Sequence, residues 1–140
     1  MEGKHTRVGF RVLSIDLSGD EIARRAGLQP TSVGEIGQPL AHVPHPPVRQ
    51  ETAWVVDSPL GLDYSLEDRL DALLDVVEPY ARRLHWLGDG CLMHIFIGRD
   101  ALTHTGECAL LTPALLARLA RLPGEGVLIE IPEPVEAYAG

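Results

Sequence analysis

Lysine is almost missing from this chain. Lys4 is the only one among twelve basic residues, against twenty acidic ones, and the formal net charge is −8. Phosphate backbones are held by clustered lysine and arginine, so this balance excludes nucleic acid as the expected partner. Aromatic residues are also scarce, at 5%. Valine, leucine, isoleucine and alanine must therefore fill the core. The two cysteines, Cys91 and Cys108, are too few for a disulfide scaffold. No apolar run approaches the roughly 18 residues that suggest a membrane span. The start, MEGKHTRVGF, lacks the apolar stretch of a secretory signal. The expectation is a cytoplasmic protein with reduced thiols, no membrane contact and no cofactor.

What is present fits one α+β domain over residues 1–140, with a core from about 7 to 131 and a loose tail over 132–140. A chain of this length buries roughly 68% of its unfolded surface, enough for a core without staples. RVGFRVLSID alternates, which predicts a strand over 7–16 with Val8, Phe10 and Val12 on one face and Arg7 and Arg11 on the other. Ser18 and Glu21 have capping-box spacing, and Gly27 stands at a helix end, so a short helix spans 19–26. Residues 29–51 show no period and hold five prolines. They read as a long loop. TAWVVD, 52–57, is a strand. The strongest helix starts at the cap Ser65 and buries Leu66, Leu70, Leu73, Leu74, Val77, Ala81 and Leu84. Pro79 should kink or split it. CLMHIFIG and GECALL read as two strands joined by a hairpin. Thr112 then caps a helix striped with Leu115, Leu116, Leu119 and Leu122, and GVLIEIP is the last strand.

From TAWVVD onward the order is strand, helix, strand, strand, helix, strand. This is a ferredoxin-like split β-α-β core with a mostly antiparallel sheet and helices on one face, preceded by an N-terminal strand and short helix.

FRVLSIDLSGDEIARRAGLQPT, GQP, WVVDS, LEDRLDALLDVVEP and LLTPALLARLARLPGEGVLIEI follow one another in that order. In this arrangement the chain resembles the bacterial domain of unknown function family 4279, over roughly Val8 to Ile131. The resemblance implies a small intracellular α+β domain and transfers no catalytic motif.

Residues that could carry chemistry are few. His42 and His45 lie three apart among prolines and could offer imidazoles to a metal, but a site needs a third and usually a fourth ligand. On a strand, Cys91 and His94 point to opposite faces and cannot share an ion. The hairpin tip gathers Arg99, Asp100, Thr103, His104 and Thr105 and reads as an exposed turn. Serines lack a nucleophile-elbow setting, and the glycines form no phosphate-cradling motif. Glu67, Asp71, Asp75 and Glu78 recur at helical spacing, as a solvated face does. Trp54 reads as a packing residue on its strand. The binding candidates are therefore His42, His45, Arg49 and Trp54, on a connector whose rim can form a binding edge.

With no catalytic set, the leading expectation is a non-catalytic protein-interaction module, of immunity or adaptor type. One alternative is a small-molecule binder or enzyme with a cleft under the 29–51 loop, where Arg49 holds an anion. The other is metal binding through His42 and His45.

Overall fold

The computed structural model describes residues 6–88, 90–98, 101 and 111–130. They form an α+β fold with a mostly antiparallel five-stranded sheet in the order β2-β3-β1-β4-β5. The strands are β1 (Val8–Ser14), β2 (Ser32–Gly34), β3 (Thr52–Asp57), β4 (Cys91–Gly98) and β5 (Val127–Glu130). The helices are α1 (Gly19–Ala26), α2 (Leu66–Val77), α3 (Ala81–His85) and α4 (Pro113–Arg121). The GECALL strand apart from Leu111, which has no strand assignment, the hairpin tip from Arg99 to Thr105 apart from Ala101, and the 132–140 tail lie outside the described residues.

Alternation assigns the two faces of β1 correctly. Val8, Phe10 and Val12 are buried in one core with Ile22, Trp54, Leu70, Leu74, Ile95, Ile97 and Leu115. Each such aliphatic side chain contributes about 1.5–3 kcal/mol relative to exposure. The position of β1 differs from expectation. It is the central strand, antiparallel to both β3 and β4, not an appendage to a core beginning at β3. β3, α2 and β4 do form a split β-α-β unit: its two strands run parallel with a gap, and β1 fills the gap. β1 is hydrogen-bonded along both edges, and four of its seven residues, Val8, Phe10, Val12 and Leu13, carry apolar side chains. β5 runs parallel to β4, reached across α4.

Local signals place the helices. Ser18 Oγ accepts from the Glu21 amide, and Gly27 closes α1 at φ 74°, a left-handed conformation that suits glycine. The Glu21 side chain does not complete the capping box. It turns to Arg24 and Arg25, whose hydrogen bonds hold its carboxyl down to about 2. A carboxylate with a lowered folded pKa stabilises above its unfolded value and loses that effect as pH falls. In low salt, wild type should exceed Glu21→Gln in melting temperature fully above about pH 4.5, and the gap should close toward pH 2. A gap independent of pH would rule out the ion pairs as its cause.

Ser65 Oγ accepts from the Asp68 amide to start α2. Pro79 splits the helix as expected: a 3₁₀ turn at Glu78–Tyr80 separates α2 from α3. On α4, Leu115 is buried but Leu116 faces solvent, so the leucine stripe is narrower than its spacing suggests. The carboxylates Asp71, Asp75 and Glu78 are not merely solvated. All three bond the Arg118 guanidinium, at 3.0, 2.8 and 3.0 Å, and fasten α4 to α2. That grip pushes the Arg118 pKa up, with Glu78 the largest cause.

Candidate functional site: a hairpin arm and the groove at its base

The segment between β2 and β3 is not a structureless loop. Gly37 N donates to Arg49 O at 2.8 Å, Arg49 N to Gln38 O at 2.9 Å and Leu40 N to Pro47 O at 2.9 Å. Pro39 and Val48 form a β-bridge between these bonds. The result is a two-legged arm with residues 41–46 at its tip. Prolines 39, 44, 46 and 47 reduce the freedom lost when it orders. Glu35 anchors its base. The Glu35 carboxylate accepts from Gly19 N at 2.9 Å, at the first turn of α1, where the helix dipole favours negative charge. Gln38 Oε1 in turn accepts from Glu35 N at 3.0 Å.

The arm is apolar and exposed. Ile36, Leu40, Val43 and Val48 are 45%, 52%, 53% and 43% accessible. No side chain from Ile36 to Val48 is Asp, Glu, Lys or Arg. His42 and His45 stand at the tip, both exposed, with His45 at φ 54°. Among the described residues, no three His, Cys, Asp or Glu side chains are grouped to hold a metal ion.

Beside the arm lies the face of the sheet that no helix covers among the described residues. Arg7 binds Asp57 through Nε at 3.0 Å and Nη2 at 2.8 Å, and Nη2 also donates to Ser32 Oγ at 3.1 Å. Arg11 Nε donates to His94 Nε2 at 2.9 Å. Both guanidinium groups lie over the Phe96 ring, 5.6 and 5.0 Å from its centroid. These attractions between cation and ring face hold the arginines flat on the sheet. Arg49 arrives from the arm and packs on Gly34. A Cβ at that glycine would stand 2.5 Å from Arg49 Cζ, so only glycine leaves the guanidinium its place. A groove of about 510 Å³ results, lined by Arg7, Arg11, Ser32, Gln38, Arg49 and the apolar Val33, Ala53 and Val55.

Three of the four residues singled out by sequence, His42, His45 and Arg49, thus belong to one arm. The fourth does not join them. Trp54 points to the opposite face and is fully buried in the core, its indole N–H without a partner. Arg7, Arg11 and Gln38 were not singled out. The alternation of β1 already put both arginines on the face away from the helices, and that was the available signal. Cys91 is half-buried on the helix-facing side. Burial pushes its thiol pKa up, the reverse of an activated cysteine.

This architecture is that of a small α+β domain with a projecting arm and, among the described residues, one sheet face that no helix covers. The chain belongs to the family described as Domain of unknown function (DUF4279), whose profile matches residues 4–126. No curated protein and no solved structure gives a significant match. Among the described residues no helix is long and apolar enough to cross a membrane.

Proposed function

We propose that this protein is a non-catalytic interaction module, of adaptor or immunity type in the cytoplasm, that docks a protein partner through its hairpin arm. The observation that carries this reading is the arm itself: four large apolar side chains stand in solvent on a segment without charge, in a chain of net charge −8. Exposed apolar surface concentrated in one place marks interaction sites, whereas scattered single residues do not. An uncharged arm on an acidic body suits an apolar recess ringed by basic residues, because the ring steers the body while the recess takes the arm. The acidic face of α2 supports docking less well, since Asp71 and Asp75 are already bonded to Arg118.

Charge placed on the arm tests this. The double variant Leu40→Glu with Val43→Asp should keep the circular dichroism and melting temperature of the wild type. Its affinity for the partner isolated with wild type should fall by about tenfold or more, because a carboxylate would be buried unpaired. Equal affinity would remove the arm from the interface. A dimer in sedimentation that dissociates in the variant would identify the partner as a second copy of this chain.

A further inference from the structure

The groove at the base of the arm is a separate feature, resting on charge and not on apolar exposure. We propose that it binds the phosphoryl group of a small organic phosphate, with Arg49 as the principal anchor.

The sign of the groove is the first reason. The protein as a whole repels anions, yet three arginines line this one recess: Arg7 just before β1, Arg11 on it and Arg49 on the arm. Asp57 pairs with Arg7. Arg49 has no carboxylate partner among the described residues, and its Nε is shut off from solvent with no hydrogen bond. A cation partly stripped of water and left unpaired is costly to hold. An anion beside it removes that cost, and the lowered local dielectric strengthens the attraction.

The second reason is preorganisation. Arg7 is fixed in a fork by Asp57 and braced by Ser32. Ser32 Oγ accepts from Arg7, which leaves its hydroxyl proton to donate into the groove. Gln38 spends its carbonyl oxygen on Glu35 N and keeps its NH₂ group as a donor. Groups already held in place lose little entropy when a ligand arrives.

Shape and donor number choose the ligand class. A planar carboxylate is satisfied by one guanidinium fork, whereas a phosphoryl group presents three peripheral oxygens. Donors here come from three places: Arg7 just before β1, Ser32 on β2, and Gln38 and Arg49 on the arm. The volume of about 510 Å³ exceeds what an inorganic ion fills and lies within the usual range of small-molecule pockets. Ala53 and Val55, on the groove face of β3, give the carbon body an apolar wall.

Phenyl phosphate, inorganic phosphate and benzoate are the probes, titrated by calorimetry at low salt. Phenyl phosphate should saturate with a Kd of about 1 mM or tighter. Inorganic phosphate lacks the apolar contact and benzoate the third oxygen, so both should bind more weakly. Arg49→Ala should weaken phenyl phosphate by about tenfold or more without lowering the melting temperature, because the charge-assisted contact is lost. Gly34→Ala keeps every charge but displaces the Arg49 guanidinium, and should weaken binding likewise. The proposal is overturned by absence of saturable binding, by unchanged affinity in Arg49→Ala, or by benzoate binding as tightly as phenyl phosphate.

Discussion

Replacing Trp54 with alanine should lower the free energy of unfolding by about 3–5 kcal/mol, the usual cost of removing a large aromatic side chain from a packed core. Trp54 is the largest fully buried side chain of the protein. It lies on β3 opposite Val12 of the central strand, in the cluster that joins the sheet to α1 and α2. Its indole N–H lacks a partner, so part of the ring's contribution is already offset by a buried unsatisfied donor. Trp54→Phe should therefore retain more than half of the stability that Trp54→Ala loses. Denaturant unfolding reads both values. A loss below about 1 kcal/mol for alanine would be the cost of a surface side chain and would contradict this placement. Since typical stabilities are about 5–15 kcal/mol, the alanine variant stands near the limit of folding. At temperatures where it remains folded, its arm and groove should behave as in wild type.

Gly9→Ala should cost about 1–3 kcal/mol, as inserted core methyl groups do. Gly9 lies in the middle strand on the face away from the helices. A Cβ there would stand 2.7 Å from Phe96 Cε1 and 2.8 Å from Val56 O. The ring can tilt, but the carbonyl belongs to the paired strand β3 and cannot move without lengthening ladder bonds. Because Arg7 and Arg11 both rest on Phe96, a displaced ring also unseats the groove's arginines. Phenyl phosphate affinity should consequently fall in Gly9→Ala, even well below its melting temperature. Wild-type stability in this variant would mean that the sheet yields freely at its centre.

The sequence was legible where the controlling interactions are local. Period-two alternation sorted Val8, Phe10 and Val12 from Arg7 and Arg11 because adjacent side chains on a strand face opposite ways. Ser18, Ser65 and Thr112 revealed helix starts because each bonds an amide three residues on. Pro79 revealed a break because its ring cannot occupy a helix interior. What stayed hidden depends on residues far apart. Nothing in β1 itself says that two strands will flank it, so its central place had no local mark. The bond from Arg118 to Asp71 crosses 47 positions, and a helix face read alone looks solvated. The arm was hidden for another reason. Its prolines interrupt the alternation that signals strands, and few backbone bonds define it. Arg49 was recognised as the candidate anchor, but Gly34 beneath it was not, since a glycine's role shows only when a side chain is found lying on it.

Site-specific photo-crosslinking in cells tests the central claim most directly. A photoreactive residue would replace Val43 on the arm in one strain and Asp71 on α2 in another, with adducts identified by mass. Docking through the arm predicts one dominant adduct from position 43, absent from position 71 and lost when Leu40→Glu is added. An adduct from position 71 alone, or one from position 43 that survives Leu40→Glu, would contradict it.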